Sequence, residues 1–257
     1  MIRELKKVDD HISLFEMKSN ALEVLVTNFG GTIIRLLMPD KNGQKGDVVL
    51  GYDSIAEYQT KDAYLGALVG RTANRTCKGT FSLNGKTYTL PLNDGPNSLH
   101  GGVHGFSQKV FDAKIQGDSL VLTYLSPDGE EGYPGNLRLT ATYTLKGGTL
   151  TLRYQATTDQ DTLINITNHS YFNLSGGQED ICNHTLQVHS DTYACIDANG
   201  LPTGEFRDTQ GTPFDFHTPA RIGDVLARQD EQLTLGRGVD HPFLIKLCCA
   251  IRQAADV

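Results

Sequence analysis

The sequence predicts an all-β fold, an antiparallel β-sandwich or barrel with very little helix. Three observations carry this. Leu137, Leu139, Ala141, Tyr143 and Leu145 alternate with polar residues; Gly147 and Gly148 turn the chain; Leu150, Leu152, Tyr154 and Ala156 alternate back. Period-two patterning sustained on both arms gives each strand one core-facing side, which a helix does not do. Phe81 and Leu83 alternate with Thr80 and Ser82, and Tyr88 and Leu90 with Thr87 and Thr89, around Asn84-Gly85. Asn-Gly suits a type I′ turn, because both residues tolerate positive φ. Finally, only residues 54–60 and 220–228 offer short helices.

Taken in order, residues 22–27 and 32–37 are strands joined by the turn Asn28-Phe29-Gly30-Gly31. Residues 40–46 form a polar turn and 48–50 a short buried strand. After the helix at 54–60 and the hairpin at 80–90, strands at 110–115 and 120–125 flank Gly117-Asp118. The pair at 137–145 and 150–156 follows, then strands at 184–189 and 193–196. Nothing reads as a Pro-, Gly- or Ser-rich linker, a fixed-period repeat or a low-complexity tract, so residues 1–257 are expected to form a single domain.

Composition narrows the function. Hydrophobic residues make up 39% of 257 residues, enough for a sizeable core. A net charge of -7 without a basic block argues against nucleic acid or an anionic membrane surface as partner. The opening MIRELKKVDD lacks the apolar run of a signal peptide, and no stretch is long and apolar enough to span a membrane. Five irregularly spaced cysteines, with Cys248 and Cys249 adjacent, do not make a disulfide framework. A cytoplasmic location is expected.

Five stretches do not look like scaffold. Residues 163–174, LINITNHSYFNL, open like a strand through Leu163, Ile164 and Ile166, then crowd Asn168, His169, Ser170, Tyr171 and Asn173 together. Buried polar groups need partners, so such a strand end suits a cleft, with His169 as the chemical centre. A strand end with one satisfied core histidine would carry the same letters. Residues 70–79, GRTANRTCKG, put Arg71 and Arg75 around Asn74, either as a solvated loop or as a fork of donors for hydroxyl or carboxylate oxygens. Residues 93–106, NDGPNSLHGGVHGF, commit Asn97, Ser98, His100 and His104 to a Gly-rich path. Gly101-Gly102 breaks the helix that a metal site at His100 and His104 would need. A polar loop presenting His100 to a cleft fits better. The acidic stretch 126–135, SPDGEEGYPG, reads as an exposed turn, and Asp240-His241-Pro242 as a strand mouth whose Asp either accepts hydrogen bonds or caps a turn. Walker A, G-x-G-x-x-G, G-x-S-x-G and H-E-x-x-H patterns are absent. The remaining His, Asn, Arg and Asp groups suit proton transfer on a small polar substrate.

In this order, GRTANR, NSLHGG, SPDGEEGYPG, TNHSYFNL and VDHPF resemble the aldose 1-epimerases, or galactose mutarotases, from about residue 29 onward. The resemblance implies a large antiparallel β-sandwich. It implies interconversion of the α and β anomers of aldohexoses such as galactose and glucose, without a cofactor or metal. It makes His169 the acid at the ring oxygen and His100 a second catalytic group beside the sugar. Asn74, Arg75 and Asp240 would hold hydroxyls, and Tyr171 would line the same site. One departure stands out: the family's general base is a glutamate in a segment near the C-terminus, and no glutamate follows Glu231 here. The resemblance therefore implies a chain lacking its last part, and a poor catalyst. Three other readings compete: a sugar-binding sandwich without turnover, an epimerase for a phosphorylated hexose, and a metal-dependent isomerase using His100, His104 and His169.

Overall fold

The computed structural model describes residues 1–245 and 255–256. The chain divides into two compact units, residues 1–178 and 179–257. Cys248 and Cys249, and the end of the apolar run that follows Asp240, lie outside the described residues.

The first unit opens with an antiparallel meander: β1 (Ile2–Lys7), β2 (Ser13–Lys18), β3 (Glu23–Thr27), β4 (Ile33–Pro39) and β5 (Lys45–Asp47), paired in that order. The predicted turn at 28–31 joins β3 to β4, with Gly30 at φ 64°. A Cβ on Gly30 would lie 2.5 Å from the Ser107 carbonyl, so the turn needs glycine for space as well as for φ. Next come α1 (Ile55–Thr60), β6 (Leu68–Val69), β7 (Arg75–Thr76), the hairpin β8 (Thr80–Leu83) and β9 (Lys86–Thr89), and β10 (Ser98–Leu99). Glu57 accepts the Ser54 N–H at 3.1 Å, closing the start of α1 as a capping box would. Asn84 and Gly85 sit at φ 52° and 76°, as a type I′ turn requires.

A second meander follows: β11 (Asp112–Gln116), β12 (Ser119–Ser126), β13 (Leu137–Lys146) and β14 (Thr149–Thr158). The short β15 (Thr167–Asn168) pairs with β6. The period-two reading holds on β13, where Leu137, Leu139, Ala141, Tyr143 and Leu145 are all buried. On β14, the outermost strand in this order, Leu150, Leu152 and Tyr154 are half-buried and Ala156 is exposed. Phe15, Met17, Val24, Val26, Ile33 and Leu36 of the first sheet share one apolar cluster with Leu120, Leu122 and the β13 residues of the second. Two antiparallel sheets thus enclose a common core, and the Tyr143 hydroxyl crosses it to donate to the Gly31 carbonyl.

The expected strand at 48–50 needs correction. The ladder to β4 runs through 45–47, and Val49 makes only an isolated bridge to Phe172. The Asp47 carboxylate explains this. It accepts the Leu36 N–H at 3.0 Å and the Val49 N–H at 3.3 Å, so a side chain replaces the backbone partner and the strand ends there.

In the second unit, β16 (Thr185–Val188) pairs with β19 (Ala220–Arg221) and β21 (Ala255–Asp256), and β17 (Thr192–Ile196) with β18 (Pro202–Asp208) and β20 (Phe243–Leu244). Tyr193, Cys195, Phe214, Phe216, Val225 and Leu233 are buried in its core. The helix expected at 220–228 is shorter, α2 (Ile222–Leu226). A further helix, α3 (Glu231–Gly236), starts where Asp230 accepts the N–H groups of Gln232 and Leu233. The described cysteines Cys77, Cys182 and Cys195 are free thiols. Among the described residues, no helix is long and apolar enough to cross a membrane.

Candidate active site

Three segments of the first unit build the site, and backbone ladders bring them together. β6 and β15 pair Leu68 with Asn168 and Val69 with Thr167. The pairing continues one residue on: His169 donates its N–H to Ala67 at 2.8 Å and accepts from Gly66 at 3.0 Å. The Asn168 amide adds a bond to the Gly66 carbonyl at 2.8 Å. A Cβ on Gly66 would lie 2.0 Å from the Ile33 carbonyl, so only glycine allows this approach. His169 is therefore held on both sides of its peptide.

The crowded polar groups of 163–174 divide in two. Asn168 accepts the Ser170 N–H at 3.1 Å, and buried Asn173 accepts from Ser175 N–H and Oγ at 3.0 and 2.7 Å. Both asparagines shape the chain instead of facing a ligand. The rings of His169 and Tyr171 lie 5.0 Å apart, with Tyr171 41% exposed.

The second ladder pairs β7 with β10, setting Arg75 opposite Leu99 and so bringing His100 beside Asn74. His100 donates its N–H to the Asn74 carbonyl at 3.1 Å, and the Asn74 N–H donates back to His100 Nδ1 at 3.1 Å. With Nδ1 accepting, the neutral ring carries its proton on Nε2. Burial, with the nearby His169 and Arg75 charges adding to it, pushes the His100 pKa down to about 4, so this ring is neutral at physiological pH. Gly101 follows at φ 92°, and a Cβ there would lie 1.9 Å from the Gly70 carbonyl. The Gly-rich path is thus a tight stacking of the His100 loop on the Gly70 segment.

The His100 and His169 rings meet edge to face, centroids 5.0 Å apart. Tyr64, which the sequence reading did not single out, packs against both, 4.8 Å from His100 and 5.9 Å from His169. It sits at φ 55°, an outlier for an aromatic residue. Burial, with the charges of Asp62 and Asp94, pushes its phenol pKa up, so the hydroxyl keeps its proton. Arg75 reaches into the same region, its Nε donating to Asp94 at 2.7 Å.

Arg71 does not join Arg75 as a second donor fork. Only 2% exposed, it spends its guanidinium on Ser126 Oγ, the Pro134, Ser126 and Pro127 carbonyls and Thr162 Oγ1. All of these acceptors except Thr162 sit on the 126–135 stretch, which is correspondingly not a plain exposed turn. Glu130 there is half-buried, paired with Lys109 at 2.7 Å and accepting from Tyr124 and Ser126. His104 is exposed while His100 is half-buried. Among the described residues, no three His, Cys, Asp or Glu side chains are arranged to hold a metal ion. The metal arrangement of His100, His104 and His169 is therefore not formed.

Asp240 belongs to the second unit, exposed after α3. Its neighbour His241 is buried against Phe214, with Nε2 3.1 Å from Gln232 Oε1. Gln232 in turn exchanges hydrogen bonds with both backbone groups of Ile196. In the DHP motif, the histidine is a structural member and the aspartate remains at the surface of its unit.

Two antiparallel sheets around one core, bearing a neutral and a second half-buried imidazole among Asn, Arg and Tyr side chains, define a β-sandwich equipped for acid–base chemistry. The aldose 1-epimerase family model matches residues 13–256. Galactose mutarotase from Sus scrofa is 44% identical over 236 residues, covering 91% of this chain and 68% of that protein. Galactose mutarotase from Pongo abelii is 42% identical over 260 residues, covering 98% and 75%. The crystal structure of galactose 1-epimerase from Lactobacillus acidophilus superposes with a TM-score of 0.85 at 33% identity, covering 99% of this chain and 75% of that one. The chain belongs to the aldose 1-epimerase family.

Proposed function

We propose that this protein is an aldose 1-epimerase acting on unphosphorylated aldohexoses such as galactose and glucose. The observation that carries the reading is the His100–His169 pair, 5.0 Å between ring centroids and backed by Tyr64, with His100 neutral at physiological pH. Opening a hemiacetal ring requires transfer of the anomeric hydroxyl proton to a base, here water or a dissolved buffer base, cleavage of the bond between C1 and the ring oxygen, and delivery of a proton to that oxygen. His169 is the acid that delivers it. His100, protonated on Nε2, donates a hydrogen bond beside the same oxygen without competing as a cation. Rotation about the C1–C2 bond and the reverse proton transfers close the ring on the other face. Asn74 and Arg75 hold the sugar hydroxyls, and Tyr171 with Tyr64 lines the ring's flank.

The cation inventory favours an uncharged sugar over a hexose phosphate. Arg71 is buried on internal acceptors, and Arg75 is already paired with Asp94. A phosphate would need a cationic fork, and these two arginines do not form one.

Polarimetry of freshly dissolved α-galactose and α-glucose, run beside calorimetric binding of the equilibrated sugars, tests the proposal. Accelerated mutarotation supports it. Binding without acceleration would turn the reading to a sugar-binding sandwich without turnover. Tighter binding of hexose 6-phosphate than of hexose would redirect the substrate class, and absence of both binding and turnover would overturn the reading.

A further inference from the structure

Arg75 opens β7 and His100 follows β10, yet both are held by two adjacent residues, Asn93 and Asp94, at the start of the His100 stretch. The Asn93 side chain makes three hydrogen bonds around the His100 turn. Its Nδ2 donates to the Leu99 and Gly102 carbonyls, both at 3.0 Å, and its Oδ1 accepts the Leu99 N–H at 2.7 Å. These bonds bracket His100 from the residue before it to the second residue after. They also fix the amide's orientation, since reversing it would set oxygen against two carbonyls. The next residue, Asp94, accepts Arg75 Nε at 2.7 Å. Asp94 is itself anchored through backbone bonds with Asn97, whose side chain is buried and accepts the Lys78 N–H at 3.1 Å.

We propose that Asn93 and Asp94 form one positioning unit, Asn93 setting the imidazole of His100 and Asp94 the guanidinium of Arg75, so that a single peptide fixes the spacing between the two groups. The inference rests on the proposed function for the role of those groups, but not for the geometry. Neither residue touches the sugar in this assignment. The charged fork and the neutral ring are needed at a set separation because a hexose is rigid, and misplacing a binding group by 1 Å already lowers rate and affinity. A half-buried amide with both its donor and its acceptor engaged is a stiff mount, and an ion pair that fixes Nε gives the guanidinium a defined direction.

The test uses the full 257-residue chain with isotope labels on His and Arg. In the wild-type protein, His100 should titrate near pH 4 and the Arg75 Nε–H should exchange slowly with solvent. Asn93→Ala should move the His100 titration toward that of a free imidazole by at least about one unit, because the loosened turn admits water. Asp94→Asn should speed Arg75 Nε–H exchange at least about tenfold and leave His100 neutral above pH 5, since loss of a charge-assisted bond is a tenfold effect or more. Calorimetry with galactose should show each variant binding at least about tenfold more weakly, with Asp94→Glu recovering part of the loss. If Asn93→Ala does not fold, Asn93→Asp, which keeps the acceptor and removes the donor, carries the same expectation. Variants that keep wild-type His100 titration and Arg75 exchange would overturn the inference. A wild-type chain that passes both magnetic-resonance tests but binds no sugar would overturn the proposed function and leave the positioning unit standing.

Discussion

Replacing Arg71 by methionine separates the two arginines of GRTANR, one structural and one facing the site. Methionine has a similar length and no donors. Its substitution strips hydrogen bonds of 2.8 Å from the Pro134 carbonyl and 3.0 Å from the Ser126 carbonyl, both in buried residues, while Pro127 is exposed enough for water to take over. Each buried acceptor left unsatisfied costs about 1–3 kcal/mol, so the pair gives about 2–6 kcal/mol. Burial already holds the Arg71 pKa below its ordinary value, so removing the charge relieves a desolvation cost and pulls the net toward the lower half of that range. The expected loss is about 2–4 kcal/mol. The chain has no tryptophan, so urea unfolding is followed by far-UV circular dichroism, with a lower midpoint and an unchanged slope. Arg75→Met, removing a partly exposed ion pair, should cost less than about 1 kcal/mol and fall instead on sugar binding. Equal stability losses for the two variants, or a loss at Arg71 under about 1 kcal/mol, would refute the assignment of Arg71 to the scaffold.

Three other outcomes follow from the geometry. Because folded His100 titrates at about 4 while an unfolded histidine binds a proton near 6.5, its contribution to stability is complete above pH 6.5 and is lost as pH falls from there toward 4; midpoints of urea unfolding across this range check the slope. With the glutamate-bearing C-terminal segment of a family relative joined to the chain, His169→Ala should lower the mutarotation rate measured by polarimetry about 10²–10⁴-fold, with galactose binding changed far less. Gly101→Ala places a Cβ 1.9 Å from the Gly70 carbonyl at φ 92°, so it should lower the melting temperature and weaken galactose binding together, as calorimetry would read.

The sequence makes legible what repeats locally. β13 reads clearly because one face is buried along its whole length, and the 84–85 turn because both residues take positive φ. β1 gives little signal because five of its six residues are exposed, a pattern with no apolar side. α3 depends on the cap at Asp230 and is too short for an apolar period. In the candidate site, the sequence singles out His169, His100, Asn74 and Arg75 because each adjoins a glycine- or asparagine-rich break in the strand pattern. Arg71 and Arg75 look alike in the sequence; what separates them are acceptors at Ser126 and Pro134, 55 and 63 residues away from Arg71. Tyr64 escapes for a related reason. Its role comes from rings on two distant loops, and nothing beside it in the chain marks that position.

The bond from the Asn168 amide to the Gly66 carbonyl spans 102 residues. Closing a loop of that length costs about 2–3 kcal/mol more chain entropy than closing a four-residue turn. The hairpins of both meanders can therefore assemble from neighbours, while the β6–β15 contact must wait until the intervening sheet has formed. A refolding chain should recover its strand signal first and the His100–His169 contact last. Any condition that stalls folding between those stages leaves a molecule rich in β-structure whose two imidazoles have not met. The yield of sugar-competent protein is then a more stringent measure of correct folding than any spectrum of its strands.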